Sequence, residues 1–317
     1  MSSHHQGFNR EVFNVAPVKV MTLKTLEGVY PPHVTPFDRR GEIDGEALRE
    51  LIEFWLDAGL HGLVTCASNG EGPYLTLEER REVISIVLDS VDGRPVIAGV
   101  AAPGTREVMR QIRDAVDLGV DAILLTPPFY YTPNSCELLR HYQLILGKFD
   151  VPTLLYNVPK FVGYNIDIEI IVELVEEFDH VIGIKDSSGL FWRISELTRL
   201  VGDKISILAG TGDLLLPTLL MGGKGGIVGV SIIAPEMCIK LFNAFKRGDL
   251  ITARDLQWKL TRINEVIIKR YNQLSAVKEA LRLLGKPGGY PRPPSLPLEE
   301  AERREIQGVL REVGLCQ

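Results

Sequence analysis

The chain is predicted to fold as a (β/α)8 barrel of the TIM type with a C-terminal helical extension. Three observations predict it. Short runs rich in Val, Ile and Leu alternate with longer amphipathic segments from residue 28 onward, and the runs are almost unbroken in apolar residues, as strands covered on both faces must be. Helix-start signals recur at intervals of roughly 30 residues, the length of one strand-plus-helix unit. No composition shift or long linker divides the series, which favours closure into one barrel over an open doubly wound sheet.

In chain order, the candidate strands are 28–34, 62–66, 96–100, 122–126, 153–157, 181–185, 206–210 and 226–230. Pro31 and Pro32 cannot donate to a ladder, so the first strand is expected to be short or bulged near its end. Asp44 precedes the apolar stripe Leu48, Leu51, Ile52 and Trp55, and Thr76 with Glu79 has the spacing of a capping box. Thr105, Ser135 and Asp167 open later helices. After Val230 the strand pattern stops. Segments 235–246, 250–271 and 275–284 read as helices, Gly285-Lys286-Pro287-Gly288-Gly289 breaks the chain, and a last helix is expected at 299–313. Three regions follow: an N-terminal extension (1–24), the barrel (25–234) and a helical region packed on it (235–317).

The 317 residues, 45% of them hydrophobic, are enough for a large core. A net charge of −6 is mild, no Lys/Arg cluster resembles a nucleic-acid footprint, and no apolar run approaches the roughly 20 residues that span a bilayer. The expected partner is therefore a small molecule, not a nucleic acid or a membrane. Residues 1–24 lack the apolar core and cleavage site of a secretory signal. Cys66, Cys136, Cys238 and Cys316 are scattered with no C-x-x-C pair, which suits a reducing cytoplasm. The six histidines form no H-E-x-x-H or H-x-H pattern, so neither a metal nor a cofactor is expected.

In a barrel of this kind the strand ends and the loops after them converge on one face, so polar residues that end apolar strands carry functional weight. Lys185 ends the run Val181-Ile182-Gly183-Ile184 and precedes Asp186-Ser187-Ser188-Gly189. A buried ammonium loses hydration, which favours the neutral amine, a nucleophile toward carbonyl carbon. The other reading is a lysine that leaves the strand and snorkels to water beside Asp186. Tyr156 ends the preceding strand in Tyr156-Asn157-Val158-Pro159, where its phenol could pass protons to and from an amine adduct. Ala67-Ser68-Asn69-Gly70-Glu71-Gly72-Pro73 offers hydroxyl, amide and backbone donors on a Gly-rich turn, able to cradle a carboxylate or simply to connect strand to helix.

Thr126-Pro127-Pro128-Phe129-Tyr130-Tyr131 is rigid and aromatic, a pattern more often used for packing or subunit contact than for catalysis. Gly222-Gly223-Lys224-Gly225-Gly226 lacks Walker spacing and precedes a strand, so its glycines are read as letting the eighth strand close the barrel. His33 is read as a packed histidine.

Together, Val34-Thr35-Pro36-Phe37, Ser68-Asn69-Gly70-Glu71, Thr126-Pro127-Pro128 with Tyr130, Tyr156-Asn157-Val158-Pro159 and Gly183-Ile184-Lys185-Asp186 resemble the dihydrodipicolinate synthase and N-acetylneuraminate lyase family, from about Leu26 to the C-terminus. The resemblance implies a cytoplasmic barrel enzyme, a homotetramer or homodimer, whose lysine forms an imine with pyruvate or a longer 2-oxo acid. It makes Lys185 the Schiff-base lysine and Tyr156 the proton shuttle. Ser68 and Asn69, beside Gly70, stand where the synthases usually carry two threonines that hold the pyruvyl carboxylate. Tyr130 matches a tyrosine that completes a proton relay, commonly across a subunit interface, and Val228 a strand-eight residue near the bound ketoacid.

The resemblance is mixed at one position. Where the synthases carry an arginine for the carboxylate of aspartate semialdehyde, this chain has Phe161. A phenyl ring offers that carboxylate nothing, a loss of roughly 1.5–3 kcal/mol in a closed site. Neighbouring Lys160 is a substitute if the loop turns differently. With the Gly28-Val29-Tyr30-Pro31-Pro32, Ser68-Asn69-Gly70-Glu71, Lys185-Asp186-Ser187 and 288–297 segments, this makes the chain look more like the 4-hydroxy-2-oxoglutarate and 2-keto-3-deoxygluconate aldolases of the family. The expected reaction is then cleavage of a 4-hydroxy-2-oxo acid to pyruvate and an aldehyde, with Ser187 a candidate for the aldehyde-side hydrogen bond. Alternatives are dihydrodipicolinate synthase, a sugar-acid dehydratase, and a ketoacid-binding barrel without turnover.

Overall fold

The structure is a computed structural model that describes residues 23–316. The extension expected at 1–24 therefore lies outside the described residues, apart from its last two. Eight strands, β1 (Gly28–Tyr30), β2 (Leu63–Thr65), β3 (Val96–Val100), β4 (Ala122–Leu125), β5 (Thr153–Asn157), β6 (Val181–Asp186), β7 (Ser206–Ala209) and β8 (Gly225–Ile227), make one parallel sheet ordered β1-β8-β7-β6-β5-β4-β3-β2. With alternating helices outside, this is a (β/α)8 TIM barrel carrying further helices at its C-terminal end.

Both sides of β1 show how the sequence permits closure. As expected from Pro31 and Pro32, β1 is only three residues long. The prolines still contribute what they have: the Pro31 carbonyl accepts from Val64 N at 3.0 Å, and His33 N donates to Val64 O at 3.1 Å, so a bridge at Pro32 joins the two edges. On the other side, Gly225 adopts φ +143°, and a Cβ there would lie 1.8 Å from the Gly28 carbonyl oxygen. Only glycine lets β8 approach β1 this closely.

Inside the barrel, Tyr30, Val64, Ile97, Leu124, Leu154, Ile182, Leu208 and Ile227 belong to one buried cluster, while the outward residues pack under the helices. The caps follow the sequence. Asp44 accepts from Ala47 N at 3.0 Å, and Thr76 with Glu79 forms the capping box of helix Leu77–Ser90. Helix Ser135–Leu146 is capped by Asn134 instead, and Ser135 Oγ reaches Asp167 Oδ2 at 2.7 Å.

β8 ends three residues earlier than expected. Gly229 is already in the right-handed helical region, Ser231 binds the Val228 carbonyl through both its N–H (3.1 Å) and its Oγ (2.7 Å), and Val230–Ile233 is a short helix. A short apolar run such as Val230-Ser231-Ile232-Ile233 suits a buried strand or a buried helix equally well by periodicity. Helices Pro235–Lys246, Leu250–Ile263, Gln273–Leu283 and Glu300–Glu312 follow near the expected positions, with a π-helical stretch at Asn264–Arg270.

β5 and β6 do not pair in a simple register. Thr153 lies opposite Val181, but Leu154 lies opposite Gly183, so Ile182 is an extra residue, a β-bulge. From there on Leu155 faces Ile184, Tyr156 faces Lys185 and Asn157 faces Asp186.

His33 is packed, as its position suggested. It is buried, its ring stacks on Trp55 with centroids 5.5 Å apart, and its Nδ1 meets Val34 O at 2.9 Å. Burial pushes its imidazolium down to about 4 from an ordinary 6.5. As pH falls the unfolded chain therefore takes up this proton first, so stability is lost from about pH 6.5 downward and the loss is complete below about 4. His33→Phe, which keeps the stack on Trp55, should weaken the fall in unfolding free energy between pH 7 and 4.5 by roughly 2–3 kcal/mol, measured by urea unfolding at each pH. An unchanged pH slope would show that His33 is not buried in its neutral form.

Candidate active site

The strand ends open into a cavity of about 430 Å³ whose lining includes Ser68, Thr126, Tyr156, Lys160, Phe161 and Gln273. Lys185, only 3% exposed, lies against Tyr156, one of these lining residues. Its Nζ sits 4.1 Å from the centroid of the Tyr156 ring, the contact that the bulged register dictates.

The snorkelling alternative for Lys185 fails on geometry. Asp186 faces the other side of the strand, where its Oδ2 accepts from Asn157 Nδ2 at 2.8 Å and Arg193 Nε at 3.1 Å. Arg193 in turn donates through Nη2 to Ile166 O at 2.8 Å. The carboxylate next in sequence to Lys185 is thus fully engaged on the outside of the barrel, and the amine stays within it.

Burial alone would raise the Tyr156 phenol, but the Lys185 ammonium beside it, with the hydroxyls of Ser68 and Ser187, outweighs burial and holds it below its ordinary value. A phenol poised in this way gives and takes a proton more readily than a free tyrosine. Ser187 Oγ is buried facing the Tyr156 phenol and makes no hydrogen bond of full geometry among the described residues.

The turn after β2 is held from several sides. Thr35 Oγ1 donates to Gly70 O at 2.7 Å, Gln273 Nε2 donates to Asn69 Oδ1 at 2.6 Å, and the buried Asn69 side chain faces Gly229, beside Val228. Glu71, in the left-handed region at φ 56°, is buried together with its carboxylate. There it pairs with the fully buried Lys278 and accepts from Arg292 N at 2.9 Å. Lys278 also donates to Tyr290 O at 2.7 Å and lies 4.4 Å from the Phe37 ring centroid, and burial pushes its ammonium down to about 8 despite Glu71. Glu71 is therefore an anchor of the carboxylate turn.

The expected residues fall into two groups. Ser68 and Tyr156 line the cavity with Lys185 and Ser187 beside the Tyr156 phenol, Asn69 and Gly70 continue the Ser68 turn with Asn69 against Gly229 next to Val228, and Phe161 lines the cavity at 47% exposed. Tyr130 is outside the cavity lining, 85% exposed, at φ +81°, with Tyr131 packed edge-on against it. Within one chain it does not join the relay. Lys160, Gln273 and Lys278 were not singled out as site residues from sequence. Lys160 was visible as the neighbour of Phe161, but nothing local marks the other two. Among the described residues, no group of three or more His, Cys, Asp or Glu could hold a metal ion, and no helix is long and apolar enough to cross a membrane.

Residues 25–313 match the dihydrodipicolinate synthetase family. The 4-hydroxy-tetrahydrodipicolinate synthase of Methanopyrus kandleri is 36% identical over 293 residues, 92% of this chain and 97% of that protein. The enzyme of the same name from Thermodesulfovibrio yellowstonii is 38% identical over 283 residues, covering 89% and 96%. Among solved structures, a dihydrodipicolinate synthase superposes with a TM-score of 0.86 at 33% identity, covering 92% of this chain and all of the other. A prophage protein of the dihydrodipicolinic acid synthase family from E. coli K12, solved in complex with pyruvate, gives 0.87 at 29% identity, covering 92% and 99%.

The anchor generates a test. Lys278→Met strands a buried Glu71 carboxylate and should destabilise the fold by about 3–5 kcal/mol. Adding Glu71→Leu should recover much of that loss in denaturant unfolding. If the single variant is as stable as the parent, the pair does not hold the turn.

Proposed function

Because the chain belongs to the dihydrodipicolinate synthetase family, we propose that it forms an imine between Lys185 and the 2-oxo group of pyruvate, and through it joins pyruvate to an aldehyde bearing a carboxylate. The observation that carries this reading is the pairing of Lys185 with Tyr156, which lines the cavity beside the Ser68 hydroxyl. Lys185 attacks the carbonyl carbon as a neutral amine, and water leaves as the imine forms. The cationic imine nitrogen then accepts the electron pair left as a methyl proton departs to Tyr156, and the neutral enamine so formed attacks the second carbonyl, which takes up a proton. Tyr156 carries the protons. Ser68 and Asn69 hold the pyruvyl carboxylate, which fixes the carbonyl against the amine and makes the attack effectively unimolecular.

For the second carbonyl, the names of the curated relatives favour aspartate semialdehyde over the aldol cleavage expected from sequence. Lys160 supports the same choice. It lines the cavity beside Phe161 and uses two of its donors on Ile268 O and Gln273 Oε1, each at 3.0 Å, which leaves one for a carboxylate. The second reading, cleavage of a 4-hydroxy-2-oxo acid, keeps one observation in its favour, the absence of a guanidinium at Phe161. Tyr130 is assigned to a relay completed by a second copy of the chain. Its exposure and strained backbone support that assignment.

Incubation with pyruvate and borohydride should add one reduced pyruvyl group to the peptide containing Lys185, and an unmodified lysine would end both readings. Tyr156→Phe should lower kcat by roughly 100-fold or more with the fold intact. Turnover of pyruvate plus aspartate semialdehyde is the expected outcome of a substrate panel, with Lys160→Met raising KM for the semialdehyde by about 10-fold or more. Pyruvate release from 4-hydroxy-2-oxoglutarate alone would replace the first reading by the second. Sedimentation as a monomer at assay concentration would remove Tyr130 from the relay.

A further inference from the structure

Three side chains from distant parts of the chain, two of them lining the cavity, form a single directed chain of hydrogen bonds that ends at the buried Asn69. Lys160 Nζ donates to Gln273 Oε1 at 3.0 Å, and Gln273 Nε2 donates to Asn69 Oδ1 at 2.6 Å. An ammonium can only donate, so the amide of Gln273 must turn its oxygen to Lys160 and its nitrogen to Asn69. Asn69 must then present its oxygen to Gln273, which leaves Nδ2, a donor with two hydrogens, facing away from Gln273. That nitrogen lies toward Gly229 at the end of β8, 3.4 Å from where a Cβ on Gly229 would stand.

We propose that Gln273 is a positioning residue: it transmits the orientation set by Lys160 to Asn69, so that the Ser68-Asn69 turn offers a donor and not an acceptor to the carboxylate of the bound 2-oxo acid. The inference rests on the imine reading above. Asparagine, unlike a hydroxyl, has two chemically opposite ends that fit the same space. Unconstrained, its amide could present oxygen to the substrate carboxylate, a repulsive contact. The constraint comes from the C-terminal helical region, since Gln273 opens helix Gln273–Leu283 and lies 204 residues from Asn69. Ile268, in the π-helical stretch just before that helix, takes a second hydrogen bond from Lys160 at 3.0 Å and fixes the ammonium in place.

Gln273→Glu tests this directly. A carboxylate at 273 accepts from Lys160 but cannot donate to Asn69, so Asn69 reverses, gives Nδ2 to Glu and turns Oδ1 to the substrate. Borohydride trapping on the Lys185 peptide is followed against pyruvate and against methyl pyruvate, whose ester carries no charge. The half-saturating pyruvate concentration is expected to rise roughly 10- to 100-fold, with methyl pyruvate changed little. Lys160→Met, which removes the donor that orients Gln273, should weaken pyruvate selectively by a smaller factor. If Gln273→Glu does not fold by thermal unfolding, Gln273→Met serves in its place, with a selective loss of roughly 3- to 10-fold. An equal loss for both probes, or no loss, overturns the positioning role. Failure of the parent chain to trap pyruvate at Lys185 overturns the imine reading instead, so the two failures are told apart.

Discussion

The register between β5 and β6 is the constraint on which the site depends. Side chains alternate across a strand, so a slip of one residue moves every side chain to the opposite face. In unbulged pairing Tyr156 would lie beside Ile184, which packs under the outer helices, and Lys185 would have no phenol at its level. The extra residue at Ile182 corrects this, and Leu154 with Ile182 stays inside while Tyr156 and Lys185 come to the same height. The outward partners benefit equally. Asn157 and Asp186 become neighbours on the far side, where their hydrogen bond and the Arg193 ion pair tie the two strands together beyond the ladder. One bulge thus aligns Tyr156 with Lys185 inside and a structural network outside.

A second dependence runs from the C-terminal helices to the turn after β2. A fully buried ion pair is a costly way to gain stability, because desolvation offsets most of the attraction. Here the geometry compensates for much of that cost. Glu71 receives the Lys278 ammonium and the Arg292 amide, while Lys278 also reaches the Tyr290 carbonyl and lies against the Phe37 ring. Arg292 itself spans Glu79 and the Gly41 carbonyl and stacks over the other side of the same neighbourhood, 4.2 Å from the Phe37 ring centroid. Because both partners of the Glu71 carboxylate, Lys278 and Arg292 N, come from the C-terminal region, the turn that includes Ser68 and Asn69 is braced by that region. The helical addition is in this sense part of the site.

Sequence revealed what is local. Lys185 and Tyr156 stand out because each is a polar residue where an apolar run ends, and the caps Asp44 and Thr76 stand out because their partners lie three residues away. The bulge is invisible in sequence: Ile182 and Gly183 suit a regular strand as well as an irregular one. Gln273 and Lys278 are invisible for a different reason, since the residues they hold lie 204 and 207 positions earlier. Glu71 was read correctly as part of a polar turn, but its charge points inward to Lys278, and no local signal distinguishes that from a charge facing substrate. Tyr130 could be picked out by its aromatic loop, yet one chain leaves it in solvent.

Phe161 shows how a residue can mislead when read apart from its neighbour. Losing an arginine at that position looks like losing the only charge for a second carboxylate. In the structure the short helix Pro159–Val162 presents Lys160 and Phe161 about 100° apart around its axis, and both reach the cavity. The phenyl ring covers the rim. Its neighbour leans inward toward Ile268 and Gln273 and lies 5.5 Å from the phenyl centroid, where the ring face also favours a cation. Burial pushes that ammonium below its ordinary value, so it gains more from a carboxylate than a fully solvated lysine would. On the proposed synthase reading, the positive charge for the second carboxylate is supplied one residue earlier, by Lys160. That reading changes the shape of the charge: a point charge in place of a planar two-donor fork would relax the demand on carboxylate orientation while keeping the attraction.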